Sequence, residues 1–162
     1  MKPKFVLFIF LASIFLSSCI DKVVKSCGAK CEDHGFCDVT TGTCDCDMGY
    51  EGTDCDIETR ARFLGNYQVK QDSAGTIKNY TCIISNGPGS FGPYGITITA
   101  LNGSSLDCRV GSNNSINVEL GSGSFFNVSG SGNLSGSTIN LSVVFDPSGS
   151  APAYTMQYVL TK

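Results

Sequence analysis

The amino-acid sequence predicts an all-β protein: a small disulfide-rich module followed by an antiparallel eight-stranded meander barrel. Two observations predict this class. Six of the nine cysteines lie between residues 27 and 55, and from residue 63 onward apolar and polar residues alternate with a period of two. That period is typical of half-buried strands. No helical periodicity follows residue 18, and a two-sheet β-sandwich is the alternative architecture for the second part.

The first 18 residues have the pattern of an export signal. Lys2 and Lys4 precede an apolar run of 12 residues, Phe5–Leu16. A membrane-spanning helix needs about 20 apolar residues, so this run fits the hydrophobic region of a signal peptide. The run ends in Leu16-Ser-Ser-Cys19, which resembles the lipobox of bacterial lipoproteins. This resemblance implies cleavage after residue 18, acylation of Cys19 with palmitate among its chains, and a tether formed by residues 19–24.

The odd number of cysteines agrees with the acylation of one of them. Nine cysteines in 162 residues indicate an oxidising compartment, in which thiols are expected in pairs. Acylation of Cys19 leaves eight cysteines, enough for four disulfides. Ile20 rather than Asp follows the anchor, which resembles the sorting pattern of outer-membrane lipoproteins. We therefore expect an envelope protein attached to the outer membrane through Cys19 and facing either the periplasm or the surface.

Six closely spaced cysteines define the disulfide-rich module, with the pattern C-x3-C-x5-C-x6-C-x-C-x8-C. They are Cys27, Cys31, Cys37, Cys44, Cys46 and Cys55. The second half, Cys44-Asp-Cys-Asp-Met-Gly-Tyr-Glu-Gly-Thr-Asp-Cys55, resembles the signature of EGF-like domains. The resemblance covers residues 25–57 and implies the pairs Cys27–Cys37, Cys31–Cys44 and Cys46–Cys55. The spacing alone leaves every pairing of the six open.

The sequence predicts no metal and no cofactor in this module. Calcium-binding EGF domains carry acidic and amide side chains just before their first cysteine, whereas Asp21-Lys-Val-Val-Lys-Ser26 lacks that pattern. His34 is the only histidine, and no second histidine or unpaired cysteine completes a metal site with it. We interpret His34 as a loop residue.

A polar linker, residues 58–62, leads into the β domain of residues 63–162. The predicted strands are Leu64–Gln71, Lys78–Asn86, Tyr94–Leu101, Ser105–Val110, Ser115–Leu120, Ser124–Ser129, Thr138–Asp146 and Tyr154–Thr161. Short connections such as Asn102-Gly103 join antiparallel neighbours, so we expect a meander closed into a barrel without edge strands. The glycine-rich stretches 121–124 and 130–136 precede no helix and do not have the spacing of phosphate-binding loops. We interpret both stretches as turns or hairpin tips.

Cys82 and Cys108 are the remaining pair of cysteines. Each shares the inward phase of its predicted strand, so we expect a fourth disulfide between them; two buried free thiols are the alternative. The domain also resembles the lipocalin-like β domains of small lipoproteins in Bacteroidota, through Phe63-Leu-Gly-Asn-Tyr67 and Gly130-Ser-Gly132. This resemblance implies an eight-stranded barrel that is able to hold a cavity.

Charge and motifs argue against two classes of function. Residues 19–60 carry ten acidic and four basic residues and residues 61–162 carry four and five, so neither part has the clustered basic residues that bind nucleic acid. No G-x-S-x-G motif is present, and the only acids of the β domain are Asp72, Asp107, Glu119 and Asp146. We therefore expect neither an enzyme nor a nucleic-acid partner.

The leading hypothesis is a non-enzymatic, lipid-anchored envelope protein whose EGF-like module is a spacer. Its β domain then serves interaction or presentation toward a protein or glycan partner, with no ligand-binding residue predicted. One alternative is a lipocalin-like carrier of a small apolar ligand, walled by Tyr67, Phe125, Phe126, Phe145, Tyr154 and Tyr158. Another is a eukaryotic-type secreted glycoprotein, for which the N-x-S/T sequons at Asn79, Asn102, Asn113, Asn127, Asn133 and Asn140 are glycan sites.

Overall fold

The computed structural model describes residues 25–27, 31–101, 103–122, 126–147 and 151–162. Cys19, the predicted export signal and the predicted tether lie outside these residues. The described chain forms an N-terminal module held by three disulfides and a closed antiparallel barrel of eight strands. Among the described helices, none is long and apolar enough to cross a membrane.

The N-terminal module consists of short elements around its disulfides. A 3₁₀ turn (Cys31–Asp33) precedes the antiparallel strands β1 (Gly35–Asp38) and β2 (Thr43–Cys46), and β3 (Tyr50–Glu51) pairs with β4 (Ile57–Glu58). Most of its large apolar side chains are exposed, and Met48 is 86 % exposed. Because so small a core offsets little conformational entropy, the module depends on its covalent bridges.

The predicted polar linker forms a 3₁₀ turn, Thr59–Phe63, that packs against both parts of the chain. Thr59 and Phe63 are buried, and Phe63 belongs to the hydrophobic core of the barrel. This turn therefore closes one end of the barrel, and residues 58–62 do not form a free linker.

Eight consecutive strands form the barrel. They are β5 (Gly65–Ser73), β6 (Thr76–Asn86), β7 (Gly95–Leu101), β8 (Ser104–Val110), β9 (Ser115–Ser122), β10 (Phe126–Ser135), β11 (Thr138–Pro147) and β12 (Tyr154–Thr161), with a 3₁₀ segment (Gly89–Tyr94) between β6 and β7. Each strand pairs with the next in sequence, and β12 pairs with β5 to close the sheet. The meander barrel is confirmed, and the sandwich alternative is excluded.

The alternating pattern supplies one continuous core inside the barrel. Buried positions recur every second residue, as in Tyr67, Val69 and Gln71 of β5 or Ile139, Leu141 and Val143 of β11. The fully buried side chains of the other strands include Ile84, Ile96, Ile98, Leu101, Leu106, Ile116, Tyr158 and Leu160. Burial of these largely apolar side chains is the main source of the barrel's stability.

Strand β10 corrects one prediction. The sequence pattern predicts a strand at 124–129 and a turn or hairpin tip at 130–136, whereas β10 continues to Ser135. Gly130 and Gly132 lie within it, and a side chain at either would collide with the backbone of β11, at Ser142 and Asn140 respectively. These glycines permit close approach of two strands, a role that Gly has in barrel walls. Of the other glycine-rich stretch, 121–122 belong to β9 and 123–125 lie outside the described residues.

Candidate functional site

Three disulfides hold the N-terminal module: Cys27–Cys37, Cys31–Cys44 and Cys46–Cys55. These are the pairs that the resemblance to EGF-like domains implies. The strand register explains the first two, because Cys37 lies opposite Cys44 on the β1–β2 hairpin and each bonds to the segment that precedes β1. The third bridge ties β2 to the loop that leads into β4. The bridges thus fix the backbone that contacts the barrel.

Arg60 joins this module to the barrel. Its guanidinium donates two hydrogen bonds to the carboxylate of Glu58, at 2.7 and 3.0 Å, and a third to the carbonyl oxygen of Gly92, at 3.0 Å. A longer bond of 3.4 Å reaches the carbonyl of Gly95. The Arg60 side chain is only 14 % exposed, so these charge-assisted bonds are shielded from water. Arg60 therefore ties β4 to the loop between β6 and β7.

Arg62 makes a second connection on the same end of the barrel. Its guanidinium forms an ion pair with Glu51 of β3 and donates a hydrogen bond of 2.7 Å to the side-chain oxygen of Asn114. Asn114 lies in the loop between β8 and β9. Lys162, the last residue, donates to the carbonyl of Arg62 at 3.1 Å. We call the contacts of Arg60 and Arg62, together with those of Gly49, the seat.

Gly49 completes the seat by close packing. It is buried, and a side chain at this position would collide with Pro93 of the 3₁₀ segment between β6 and β7. Its carbonyl also accepts a hydrogen bond of 2.8 Å from the Thr59 N–H. Because Gly49 has a φ of +95°, it also adopts a backbone conformation that L side chains avoid. The aromatic–glycine signature of the module thus serves its docking as well as its own turn.

The chain enters the module far from the seat. The β1–β2 hairpin runs from the Gly35–Cys46 pair, next to the seat-forming segment, to the Asp38–Thr43 pair near its turn. Lys25 N–H donates to the carbonyl of Val39 in this turn, at 2.9 Å. Residue 25 therefore lies at the opposite end of the hairpin from the barrel.

The opposite end of the barrel, the open end, contains a polar group inside its wall. Gln71 is only 2 % exposed, and its amide oxygen accepts a hydrogen bond of 2.9 Å from the Tyr80 hydroxyl. Its amide nitrogen donates to the sulfur of Met156, to which the Tyr158 hydroxyl also donates. Burial raises the pKa of Tyr158 well above its usual range, so this hydroxyl remains a donor at physiological pH.

A groove of about 430 Å³ opens beside this polar group. Its lining comprises Gln71, Lys78, Tyr80, Thr81, Ala100 and Gly103. The groove lies where β7 departs from regular pairing, because the β7–β8 register shifts between Ile98 and Leu101 and Ala100 has a φ of +63°. Bulges of this kind are frequent at barrel rims and beside binding sites. The open end is therefore the candidate interaction site.

One part of the chain, the disulfide-rich module, is similar to a known family of domains. Residues 27–58 match the family model of the teneurin-like EGF domain. The matched range includes Gly49, Glu51 and Glu58 of the seat, whereas Arg60 and Arg62 follow it. Neither the curated proteins nor the solved structures contain a match to this chain.

The predicted fourth disulfide is absent from the structure, in which Cys82 and Cys108 are buried free thiols. Both point inward as predicted, but β7 separates their strands by two strand spacings, about 9.5 Å. Cys108 lies opposite Ile96, and Ile96 lies opposite Asn86, four residues beyond Cys82. The two Cα atoms thus lie well beyond the roughly 7 Å that a disulfide spans. Burial raises the pKa of Cys82 to about 11 and of Cys108 to about 12, so neither is a thiolate nucleophile at neutral pH.

The residues considered for catalysis or metal binding, His34 and the acids of the barrel, do not lie together in one site. His34 stacks on Tyr50, with ring centroids 3.7 Å apart, and so supports the module near the seat. The acids of the barrel lie on its outer face. Asp72 accepts from the Gly75 N–H, Asp107 accepts from the Thr97 hydroxyl, and Glu119 lies 3.7 Å from Arg109. Among the described residues, no group of three His, Cys, Asp or Glu side chains could hold a metal ion.

The six aromatic residues of the predicted ligand wall have different roles. Tyr67 is a core residue whose hydroxyl donates to the Phe63 carbonyl at 2.7 Å, and Tyr158 is equally buried. Phe145 stacks on the partly exposed Tyr154 near the open end, with centroids 5.4 Å apart. Phe125 and the side chain of Phe126 lie outside the described parts of the chain. Gln71, which is not among these six residues, lines the groove. A polar residue at an inward position of β5 is the signal in the sequence that could have indicated this site.

Proposed function

We propose that this chain is a non-enzymatic, lipid-anchored envelope protein whose EGF-like module is a rigid spacer. The barrel is then the unit that presents the open end to a protein or glycan partner. The lipobox at Leu16–Cys19 and the pairing of cysteines in the module support export and acylation. Ile20 supports placement in the outer membrane, and the lipocalin-like motifs support a bacterial lipoprotein of the Bacteroidota type.

The observation that carries the proposal is the seat. The module packs on the closed end of the barrel through Arg60 and Arg62, while Lys25 lies at the far end of the module. The described chain therefore enters the module away from the seat, and the open end lies at the end of the barrel away from the module. An anchor at Cys19 would place the open end of the barrel farthest from the membrane.

The fold is consistent with a non-enzymatic role, because EGF-like modules and small β-barrels commonly serve as spacers and binding units. The barrel carries acids and bases in similar numbers on its surface, which favours a protein or glycan partner over nucleic acid. The groove at the open end, with the exposed Lys78 and Thr81 in its lining, offers both polar and apolar contacts to such a partner.

The anchor is tested by expressing the full-length chain in a bacterium that processes lipoproteins. We expect the wild type in the membrane fraction, with an intact mass equal to the chain from Cys19 plus its acyl groups. The Cys19→Ser variant should be soluble and unacylated, because acylation requires the thiol. The Ser17→Ala variant is the matched control, since it keeps a small residue in the lipobox and should behave as wild type. A wild-type chain that carries no acyl group at Cys19 would refute the proposal.

A further inference from the structure

Strand β6 has an unpaired stretch in an otherwise closed barrel. All of β6 from Thr76 to Ile84 pairs with β5, but β7 pairs only with Ile84–Asn86. Within the described parts of the chain, no strand pairs with this side of β6 between Ile77 and Thr81. The register shift on β7 and the left-handed Ala100 account for the separation.

The backbone polar groups of this stretch point into the gap. The Thr99 hydroxyl accepts a hydrogen bond from the Ile83 N–H at 3.2 Å and donates one to the Ile83 carbonyl at 3.0 Å. The backbone N–H and C=O of Ile83 therefore point toward β7. Backbone groups along a strand alternate between its two sides. The N–H and C=O groups of Ile77, Asn79 and Thr81 therefore face the same side as those of Ile83. They form a short exposed edge, which is a template for another strand.

The surroundings of this edge suit the side chains of an added strand. The groove lined by Gln71, Lys78 and Tyr80 lies on its inner side. On its outer side, Ile77 and Ile83 are 52 % and 53 % exposed, an unusual pair on a wall whose outward positions are mostly Thr, Asn, Ser and Gln. Alternate residues of an added strand would enter the groove and cover the two isoleucines.

We propose that the edge of β6 from Ile77 to Thr81 binds an extended segment of a partner protein, which adds a strand to the barrel. The segment carries apolar residues toward Ile77 and Ile83 and an acidic residue toward Lys78. Lys78 is exposed at the groove and forms no ion pair within the described parts of the chain. The inference deepens the proposed function by naming the partner class, and it rests on the barrel's role in interaction.

Charge favours an acidic partner over a second copy of this chain. Two copies that paired antiparallel through this edge about Asn79 would place their Lys78 side chains diagonally across the same face. Like charges at neighbouring positions of a sheet are destabilising. An acidic residue in that place would instead pair with Lys78.

The test is a selection from a displayed library of random linear peptides against the Cys19→Ser chain. Selected peptides should have apolar residues at every second position and should carry an acidic residue. They should bind Asn79→Ala as well as the wild type but bind Asn79→Pro about tenfold more weakly, because proline removes a donor from the edge. The ladder with β5 is unaffected by this loss, since the Asn79 N–H faces the gap. Bound peptide should slow amide hydrogen exchange at Ile77, Asn79 and Thr81.

A second variant keeps the test valid if Asn79→Pro does not fold. Lys78→Glu should weaken the acidic peptides about fivefold and favour peptides with lysine at the same position. Three outcomes would overturn the inference. The first is that every selected peptide binds the wild type and both variants, Asn79→Pro and Lys78→Glu, with equal affinity. The others are that bound peptide does not slow amide exchange on β6, or that self-association protects the same amides in the absence of peptide. Each leaves the anchor unaffected, because the Cys19 experiment tests that separately.

Discussion

Arg60 is the single residue on which the seat depends most. Its nearly buried guanidinium satisfies the Glu58 carboxylate and the Gly92 carbonyl at once. Removal of this donor leaves the Glu58 carboxylate without its ion-pair partner and takes one of two donors from the Gly92 carbonyl, which keeps the Gly95 N–H. Because the Arg60 side chain is nearly buried, this loss costs more than that of a fully exposed ion pair. The stability of the whole chain therefore depends on a residue in a segment that appeared to be a linker.

We expect Arg60→Ala to lower the free energy of unfolding by about 2 kcal/mol, measured by chemical denaturation. Lys70→Ala is the control. Lys70 is an exposed residue on the outer face of β5, and its loss should change the free energy by less than about 0.5 kcal/mol. Equal effects of the two substitutions would contradict the role assigned to Arg60.

Asp38 provides a pH-dependent contribution in the turn of the module. Its carboxylate accepts hydrogen bonds from the Thr40 hydroxyl, the Thr40 N–H and the Thr41 hydroxyl, which lower its pKa from 3.8 to about 2. Because the folded pKa is depressed, the stabilisation is present above the unfolded pKa. It is lost as the pH falls through about 2.

A carbon-detected NMR titration of Asp38 should therefore have a midpoint near pH 2 in the wild type. Thr40→Val removes the hydroxyl that contributes most and should move the midpoint toward 3.8. If the Asp38 midpoint does not change on substitution of Thr40, the hydrogen bonds are not the cause of its low pKa.

At the scale of elements, β10 depends on glycines that allow β11 to approach. Gly132→Ala would place a methyl group against the Asn140 carbonyl of β11, and the barrel cannot relieve this contact without moving a strand. We expect a loss of about 2 kcal/mol in the free energy of unfolding. Chemical denaturation of the purified chain measures it.

Ser131→Ala is the matched control for Gly132→Ala. Ser131 is the preceding residue, points outward and pairs with Ser142, so its replacement should change stability by less than about 0.5 kcal/mol. A Gly132→Ala variant as stable as Ser131→Ala would show that β10 and β11 are farther apart than the structure has them.

The strands were predictable where side chains report which way they face. Alternation located seven of the eight barrel strands near their observed bounds, and it placed Cys82 and Cys108 inside. The alternation of apolar and polar residues does not reveal that Gly130 and Gly132 are inward positions, because glycine has no side chain that marks it as apolar or polar. The distance between the two cysteines depends on strand order and register along β6, β7 and β8, which single-strand patterns do not contain.

The seat and the edge of β6 lie beyond such patterns for the same reason. The seat joins Glu51 and Glu58 of the module to loops of the barrel that are distant in sequence. The edge results from a bulge near Ala100, whose left-handed backbone the residue type does not reveal. By contrast, the three disulfide pairs of the module were predicted, because its cysteines and glycines resemble the EGF-like signature and that resemblance implies the pairing.

For the whole molecule, the seat determines how the barrel is presented. Domains joined within one chain usually move relative to one another unless their interface is extensive. Here two arginines, a buried glycine and a buried phenylalanine replace the linker, so the module and the barrel should tumble as one body. A rigid spacer holds the open end at a fixed distance from its anchor, whereas a flexible one would not.

Residual dipolar couplings, collected separately for the module and the barrel of the Cys19→Ser chain, test this rigidity most directly. One alignment tensor should fit both sets of couplings in the wild type. The double variant Arg60→Ala with Arg62→Ala should require two tensors of different magnitude, because the seat is lost. Wild-type couplings that already need two tensors would contradict the rigid spacer and, with it, the proposed presentation of the open end.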